Sequence, residues 1–582
     1  MNLCQEAKLG HARASSSVAG APALRAAVAT RRREGAAGAS SSAAARADVL
    51  DFGRAQVAFD SKTTLELLRT WLVFKVCSVG WIVKHCDQLY SISLKVLGAG
   101  LTHWVMRHAI FNHFCAGETV TELVPRMRRL QEYGVGGILD YAAEAKDEAP
   151  PKAEDMAKGE VGAPLSARTF EYKGEAVCDA NAEIFLDAIR AVRDATPDGF
   201  AAIKLTGLGD PVLLERMSTC LVEMTELFRR LSGEGRGTSR QSYYCIDRSF
   251  HLDSQTFSEG WRRLFKVGDE QELRDIFRKL DADNDGIITF AEWAESLDLL
   301  GINELCRSCL EEGPLYKAAL NDEEAKLYGN LCRRVQKILD LAQELGVRVM
   351  IDAEWLDIQP AIDHLVIFLQ RIYNRGDRPV VFQTYQTYLK GMHGSVLRDL
   401  ERSRREGWYF GAKVVRGAYM VSEREKARER GYESPVCDTY EDTEANFHAT
   451  IDSILSHNSV GAGTSDSSSA PSGPGTLAEG ELLVASHSRG SIEFTLQRMQ
   501  ELEKDRSRVH FGQLLGMADH LTFTLGVNGY KAYKYVPYGP IDEVVPYLIR
   551  RTQENSTLLG SPGVQEERRM VSREVRRRLL RF

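Results

Sequence analysis

No run of about 18 uninterrupted apolar residues occurs anywhere in the chain, so a membrane-spanning helix is not expected. An excess of positive charge is also missing. Against 81 Asp and Glu stand 74 Lys and Arg, a formal net charge of −7, which removes the basic footprint that a nucleic-acid partner would require. Nor is there a disulfide framework: the 11 cysteines are odd in number and scattered, as suits a reducing compartment. Cys306-Arg-Ser-Cys309 has no second CxxC nearby and reads as structural rather than metal-binding or redox-active. What the 582 residues do have is 43% hydrophobic and 27% charged content, enough to bury one large core or several smaller ones.

Residues 1–47 carry seven basic residues against Glu6 and Glu34 and are otherwise mostly Ala, Ser and Gly, the profile of a mitochondrial transit peptide or a disordered leader. In the helical region 48–130, the run from Trp71 to Val83 is interrupted by Lys75 and flanked by Arg69 and Lys84. It predicts an amphipathic helix packed against Ile92 to Phe114, with a position on a membrane surface as the alternative.

From Gly136 onward, short β-rich runs alternate with helical stretches. The runs are 137–141, 201–206, 348–354, 379–385, 410–416, 482–487, 509–514 and 532–537. Eight β/α units predict an α/β fold, a distorted (βα)8 TIM-like barrel occupying 131–231 and 321–560. Chemistry in such barrels sits at the C-terminal strand ends. There the sequence places Lys204, Asp352, Glu354, Gln383, Arg416, His487 and Tyr535. Residues 457–480, rich in Ser, Gly and Pro, read as a surface loop, and 561–582 as a basic tail.

A longer insertion, 232–320, interrupts the barrel pattern. Within it Asp281-Ala-Asp-Asn-Asp-Gly-Ile-Ile-Thr-Phe-Ala-Glu292 fills every ligand position of an EF-hand loop. Asp281, Asp283 and Asp285 offer carboxylate oxygens, Ile287 a carbonyl, Thr289 a direct or water-mediated contact and Glu292 a bidentate carboxylate, while Gly286 permits the turn. Helical patterns over 272–280 and 290–300 flank the loop, so calcium is the expected ion; no comparable second loop is present to pair with it.

Near the C-terminus, Tyr535-Val-Pro-Tyr-Gly-Pro540 hands a strand directly to a helix whose first turn holds Asp542 and Glu543, acids suited to its positive end. Tyr547, Arg550, Arg551 and Glu554 fall three and four residues apart and share one flank. Paired guanidinium groups beside an aromatic ring suit a small carboxylate, which they grip in a planar fork.

The runs Ile203-Lys-Leu-Thr-Gly-Leu-Gly209, Ile351-Asp-Ala-Glu354, Val415-Arg-Gly-Ala-Tyr419, Val484-Ala-Ser-His487, Gln513-Leu-Leu-Gly-Met517, Tyr535-Val-Pro-Tyr-Gly539 and Tyr547-Leu-Ile-Arg-Arg-Thr-Gln-Glu-Asn555 resemble, in order, those of mitochondrial proline dehydrogenases. The resemblance implies FAD, oxidation of L-proline to Δ1-pyrroline-5-carboxylate, and electron transfer to a ubiquinone-type acceptor, with peripheral association at the matrix side of the inner membrane. It implies substrate-carboxylate ligands at Arg550, Arg551 and Lys204, ring walls at Tyr419, Leu514, Tyr535 and Tyr547, and a supporting Asp352 bonded to Tyr535. Flavin positions fall on Gln383, Lys413, Val415, Ser486, His487 and Glu554. Lys413 replaces a usual arginine, Ser486 a threonine, and Gln386 could trade roles with Gln383. Glu144 resembles a gating carboxylate. No catalytic base stands out. Hydroxyproline dehydrogenase of the same family is the near alternative. More distant ones are a Schiff-base aldolase using Lys204 and a non-catalytic, calcium-responsive barrel.

Overall fold

A closed barrel of eight parallel strands forms the centre of the computed structural model, which describes residues 50–142, 170, 172–196, 198–232, 243–244, 251–266, 269–296, 305, 308–457, 480–558 and 562–580. In chain order the strands are β1 (Val135–Tyr141), β2 (Phe200–Ile203), β3 (His251–Asp253), β4 (Ile287–Thr289), β5 (Arg348–Ile351), β6 (Val381–Gln386), β7 (Gly411–Val415), β8 (Glu481–Ala485), β9 (Val509–Leu514) and β10 (Lys531–Tyr538). All but β3 and β4 form the barrel, which closes where β10 pairs with β1 from Ala532 opposite Val135 to Tyr538 opposite Tyr141.

Each of the eight expected runs is a barrel strand, but four stop early: β7 at Val415, β8 at Ala485 and, by three residues each, β2 and β5. β2 and β5 pair only as far as Ile203 opposite Ile351, after which Asp352 N donates once more to Ile203 O (3.0 Å). Lys204 therefore opens a 3-10 turn, Leu205–Gly207, and Asp352 and Glu354 stand in the loop beyond β5. Losing the ladder there frees these side chains from the strict in-and-out alternation of a strand. Inside the barrel Ile138, Phe200, Ala202, Met350, Phe382, Leu483 and Tyr533 fill the middle.

Seven of the surrounding helices bear on the barrel mouth, the insertion or the C-terminal region. α1 (Thr64–Cys77) starts at a capping box made by Thr63 and Glu66, and α2 (Cys86–Met106) lies beyond a short turn of helix at Gly80–Lys84. α3 (Pro211–Leu231), begun by the Asp210 cap with Pro211 in its first turn, covers the barrel. The insertion contributes α4 (Glu270–Leu280) and α5 (Phe290–Ser296), and the C-terminal region α6 (Ile541–Leu558) and α7 (Pro562–Leu579).

The N-terminal expectation needs correction. Trp71 to Val83 is not one helix: α1 ends at Cys77 and the chain restarts at Gly80. α1 buries Leu67, Val73, Phe74 and Cys77 but leaves Trp71 and Leu72 outside, because so dense an apolar run cannot turn every side chain to one face. α2 does not cover them. It carries its own exposed Ile92, Val96, Leu97, Leu101, Trp104 and Val105 and kinks at Gly98, φ 75°. The C-terminal basic stretch folds as α7, with Met570, Val571 and Val575 packed against Phe59, Leu67 and Phe74. The expected leader and the loop 458–479 lie outside the described residues, as do Glu144 and Cys306; Cys309 is a free thiol.

Candidate functional site

At the C-terminal mouth of the barrel, side chains from three other strands meet on the Asp352 carboxylate just beyond β5. Asp352 Oδ1 accepts from Lys413 Nζ at 2.7 Å and Oδ2 from Tyr535 Oη at 2.7 Å, with Lys204 Nζ 3.4 Å away. Lys204 in turn donates to Asp140 Oδ1 on β1 at 2.9 Å. The Lys413 ammonium sits 5.2 Å from the centre of the Tyr535 ring. Burial opposes the charge on Asp352, but Lys413 and Lys204 outweigh it and hold the carboxyl down at about 2. Burial, the Asp140 and Asp352 charges and the bond to Asp352 all push the Tyr535 phenol well above its usual range. The core of the mouth is thus a charged cluster with one phenol locked in place.

Asp140 escaped the sequence reading, although it was visible as the one acid in Gly137-Ile-Leu-Asp-Tyr141, at a strand end like the others. Its role as partner to Lys204 could not be read, because 64 residues separate the two. Glu354, buried just beyond Asp352, takes the Thr206 hydroxyl at 3.1 and 2.9 Å. Burial pushes its carboxyl up to about 8 despite the Thr206 bonds and the Lys204 charge.

α6 closes over this mouth. Ile541, Val544, Tyr547 and Leu548 pack with Val73 and Cys77 of α1, Phe111, Phe114 and Met517, and Leu514 lies against the same cluster. Arg551 is buried with its guanidinium 4.9 Å from the centre of the Tyr547 ring. Its charge reaches His487, whose imidazole burial and the cations Lys534, Arg551 and Arg416 push down to about 3. His487 Nε2 is accordingly an acceptor, taking Leu514 N–H at 3.0 Å. Arg550 is its half-buried neighbour; the side chain of Glu554 lies outside the described residues.

The other expected flavin positions line the β6 to β8 side. Gln383 is buried; its Nε2 donates to Asp363 while its Oε1 has no hydrogen-bond partner. Gln386 Nε2 is committed to Glu354 O at 2.9 Å, which leaves Gln383 as the amide with capacity to spare. Arg416, from the end of β7, bonds Ser486 Oγ at 2.8 Å and Ser491 Oγ at 2.9 Å. Val415 ends β7, and Tyr419 is buried where the helix Met420–Arg430 begins.

In the insertion, Asp281, Asp283 and Asp285 bring one oxygen each within 4.8 Å of one another. Gly286 turns the loop at φ 88°, with its N–H on Asp281 Oδ2 at 3.0 Å. Glu292 closes it, accepting Thr289 N at 2.8 Å, Thr289 Oγ1 at 2.7 Å and Ala282 N at 3.0 Å. The loop strand β4 is paired after all: β3 runs antiparallel to it, His251 opposite Thr289. Backbone pairing needs no acidic ligands, so its partner carries no sequence signature. Through α5 the loop packs on α3, where Trp293 Nε1 donates to Met224 O at 3.1 Å and Phe290 meets Phe228 edge-on.

A closed (βα)8 barrel with a polar C-terminal mouth, roofed by a helix carrying paired arginines, defines an enzyme of the barrel class. The family described as proline dehydrogenase matches residues 226–560. Human mitochondrial proline dehydrogenase 1 is 35% identical over 91% of this chain and 90% of its own length, and the Caenorhabditis elegans protein of the same name 33% over 91% and 88%. A Xenopus laevis hydroxyproline dehydrogenase is 30% identical over 90% and 89%. Among solved structures, proline utilization A from Bdellovibrio bacteriovorus aligns with 91% of this chain and 40% of that one, at 13% identity and a TM-score of 0.47. The chain belongs to the proline dehydrogenase family.

Proposed function

We propose that this protein is a mitochondrial, FAD-dependent oxidoreductase that converts L-proline to Δ1-pyrroline-5-carboxylate and passes the electrons to a ubiquinone-type acceptor in the inner membrane. The observation that carries the reading is the Asp352 cluster, with Lys204, Lys413 and Tyr535 fixed on one carboxylate beneath Arg551 and Tyr547 of α6. Arg550, Arg551 and Lys204 would hold the substrate carboxylate, and Tyr419, Leu514, Tyr535 and Tyr547 would wall its ring. Because Asp352 and Asp140 bind Lys204 as an ammonium, the lysine serves as a cation and is ill suited to the free-amine chemistry of an aldolase.

The residues fit a flavin: the buried Gln383 Oε1 has no hydrogen-bond partner and is an acceptor awaiting a donor. FAD would be held by Gln383, Lys413, Val415, Ser486, His487 and Glu554, and when bound it would accept the hydride released from the substrate ring. The protein's own part is orientation and the exclusion of water. Asp352 fixes the Tyr535 phenol, whose face then limits where the ring can lie, and α6 seals the mouth with Tyr547 and Leu548. Anaerobic titration of the purified flavoprotein with L-proline should bleach the oxidised flavin band. A colourless protein, or a band untouched by proline, would overturn the reading.

Hydroxyproline is the competing substrate, favoured by the 30% identity to hydroxyproline dehydrogenases and by the run Arg550-Arg-Thr-Gln-Glu-Asn555. Proline is preferred because Tyr535 stands at the ring position. Calcium is proposed for the loop Asp281–Glu292, with ligands Asp281, Asp283, Asp285, Ile287, Thr289 and Glu292. Calorimetry should show calcium binding that Glu292→Gln weakens; no calcium heat in the wild type would dispose of it.

A further inference from the structure

α7 carries its charges on two different faces. Glu566, Glu567 and Glu574 are all engaged: Glu566 with Arg489, Glu567 with the N–H groups of Ala518 and Asp519, and Glu574 with Arg577 and Arg578. Gln565, Arg568, Arg569, Ser572, Arg573 and Arg576 recur at helical spacing along another face and line a groove of about 560 Å³ against Trp71, Phe74 and Lys75 of α1. Among the described residues none of these four arginines has an acidic partner. Lys75 extends over the Trp71 ring at 5.5 Å from its centre. Five cations thus share one open groove with no carboxylate in its lining.

The same N-terminal region exposes large apolar side chains. Trp81 is 62% exposed, Trp104 59%, Val96 74% and Ile92 56%. No described helix is long and apolar enough to cross a membrane. Tryptophans and aliphatic residues beside unpaired arginines match the bilayer interface, where indole rings sit at headgroup depth and guanidinium groups meet phosphate.

We propose that the α1/α7 groove seats the phosphate groups of anionic lipids, with the exposed side chains of the Gly80–Lys84 turn and α2 entering the adjoining interface. This deepens the electron-transfer reading above by naming the membrane partner's chemistry and the surface that meets it. Charge decides against the other occupants. The leader 1–47 has seven basic residues and two acids, and a second copy docked through the same face would set arginines against arginines. The position also suits delivery of electrons to a membrane acceptor, because α1 packs on α6, the roof of the candidate site.

The test uses the full-length protein and vesicle co-sedimentation. Vesicles of phosphatidylcholine alone should bind weakly; adding about a third of an anionic phospholipid should raise binding steeply, and added salt should reverse most of that gain. The triple variant Arg569→Glu, Arg573→Glu, Arg576→Glu should lose about 100-fold or more in partitioning, at roughly 1 kcal/mol for each basic residue removed, while its thermal midpoint and its proline-dependent reduction of a soluble dye stay near wild type. Trp81→Ser with Trp104→Ser should weaken binding in a way that high salt does not mask. Equal binding to neutral vesicles, or an unaffected triple variant, would overturn the proposal. So would displacement by about 1 mM inorganic phosphate, which marks a free-phosphate site, or a wild-type dimer that the triple variant dissolves. Because binding is read without substrate, failure here leaves the proline reading standing, and a protein that binds vesicles but ignores proline would do the reverse.

Discussion

Glu481 and Glu354 are both buried glutamates of the barrel, one at each end, and their surroundings treat them in opposite ways. Glu481 opens β8 at the N-terminal end, where Arg348 grips it through two bonds at 2.7 and 3.0 Å and His510 adds a third contact at 3.1 Å. Burial opposes its charge, yet His510 and Arg348 keep its carboxyl below the usual value. Glu354 follows β5 at the C-terminal end and has a threonine hydroxyl for a partner, so burial prevails and its carboxyl rises to about 8. One end is neutralised by direct pairing and closed. At the other, Lys204, the cation whose charge reaches Glu354, is already bonded to Asp140. A barrel can settle every charge where nothing needs to bind; where a ligand must enter, some groups are left in unsettled states.

The largest effect should come from breaking the settled end. Arg348→Met strands a buried carboxylate and should cost about 3–5 kcal/mol of stability, whereas adding Glu481→Leu should restore much of it. Denaturant unfolding checks this, and a loss below about 1 kcal/mol would mean that the pair is not sealed from water. At the open end, Arg551→Met should leave the fold nearly intact and instead raise KM for proline by roughly 30- to 150-fold, the loss of a charge-assisted fork worth about 2–3 kcal/mol. Steady-state kinetics decide; an unchanged KM would remove Arg551 from the clamp. Tyr535→Ser comes next. A phenol held by Asp352 should exclude a ring hydroxyl at about 1–3 kcal/mol, so the variant should narrow or reverse the wild type's preference for proline over trans-4-hydroxy-L-proline, chiefly by losing proline activity. Equal use of both substrates by wild type would show that Tyr535 does not set the choice.

The two ends also differ in how much the sequence disclosed. The eight strands were legible because β-rich runs separated by helical patterns are a local signal. Their ends were not: β2 and β5 stop where pairing between Ile203 and Ile351 stops, a fact of neighbours rather than of either segment. Polar strand ends pointed to the mouth and the Arg550–Arg551 pair to a small carboxylate, while the role of Tyr535 came from resemblance to a family. Apart from Asp352 with Tyr535, which the resemblance implied, neither route disclosed partnership. The bonds of Lys204 to Asp140 and Arg348 to Glu481 span 64 and 133 residues, and no periodicity encodes such distances. The arginine face of α7 was read as a basic tail for the same reason: without α1 beside it, charge on one face of a helix looks like ordinary solvation.

The smallest effect comes from Glu354 and is a matter of pH. Its carboxyl has an ordinary value of 4.5 and a folded value of about 8, so between these limits the native protein holds a proton that the unfolded chain has released. Stability from this group must therefore fall as pH rises through that window, at up to about 1.4 kcal/mol per pH unit. This is the reverse of Asp352, whose folded value of about 2 makes its contribution present above the unfolded range and lost only as the solution becomes strongly acidic. Asp363, raised by burial to about 7, adds a slope of the same sign, so wild type alone cannot isolate Glu354. The comparison must be with Glu354→Gln, whose amide can still face Thr206 but cannot titrate. The difference in thermal midpoint, variant minus wild type, should grow steadily in the variant's favour between about pH 5.5 and 8, on the order of the slope above. A difference that stays constant across that range would show that Glu354 is paired in solution much as Glu481 is, and the contrast between the two ends of the barrel would fail.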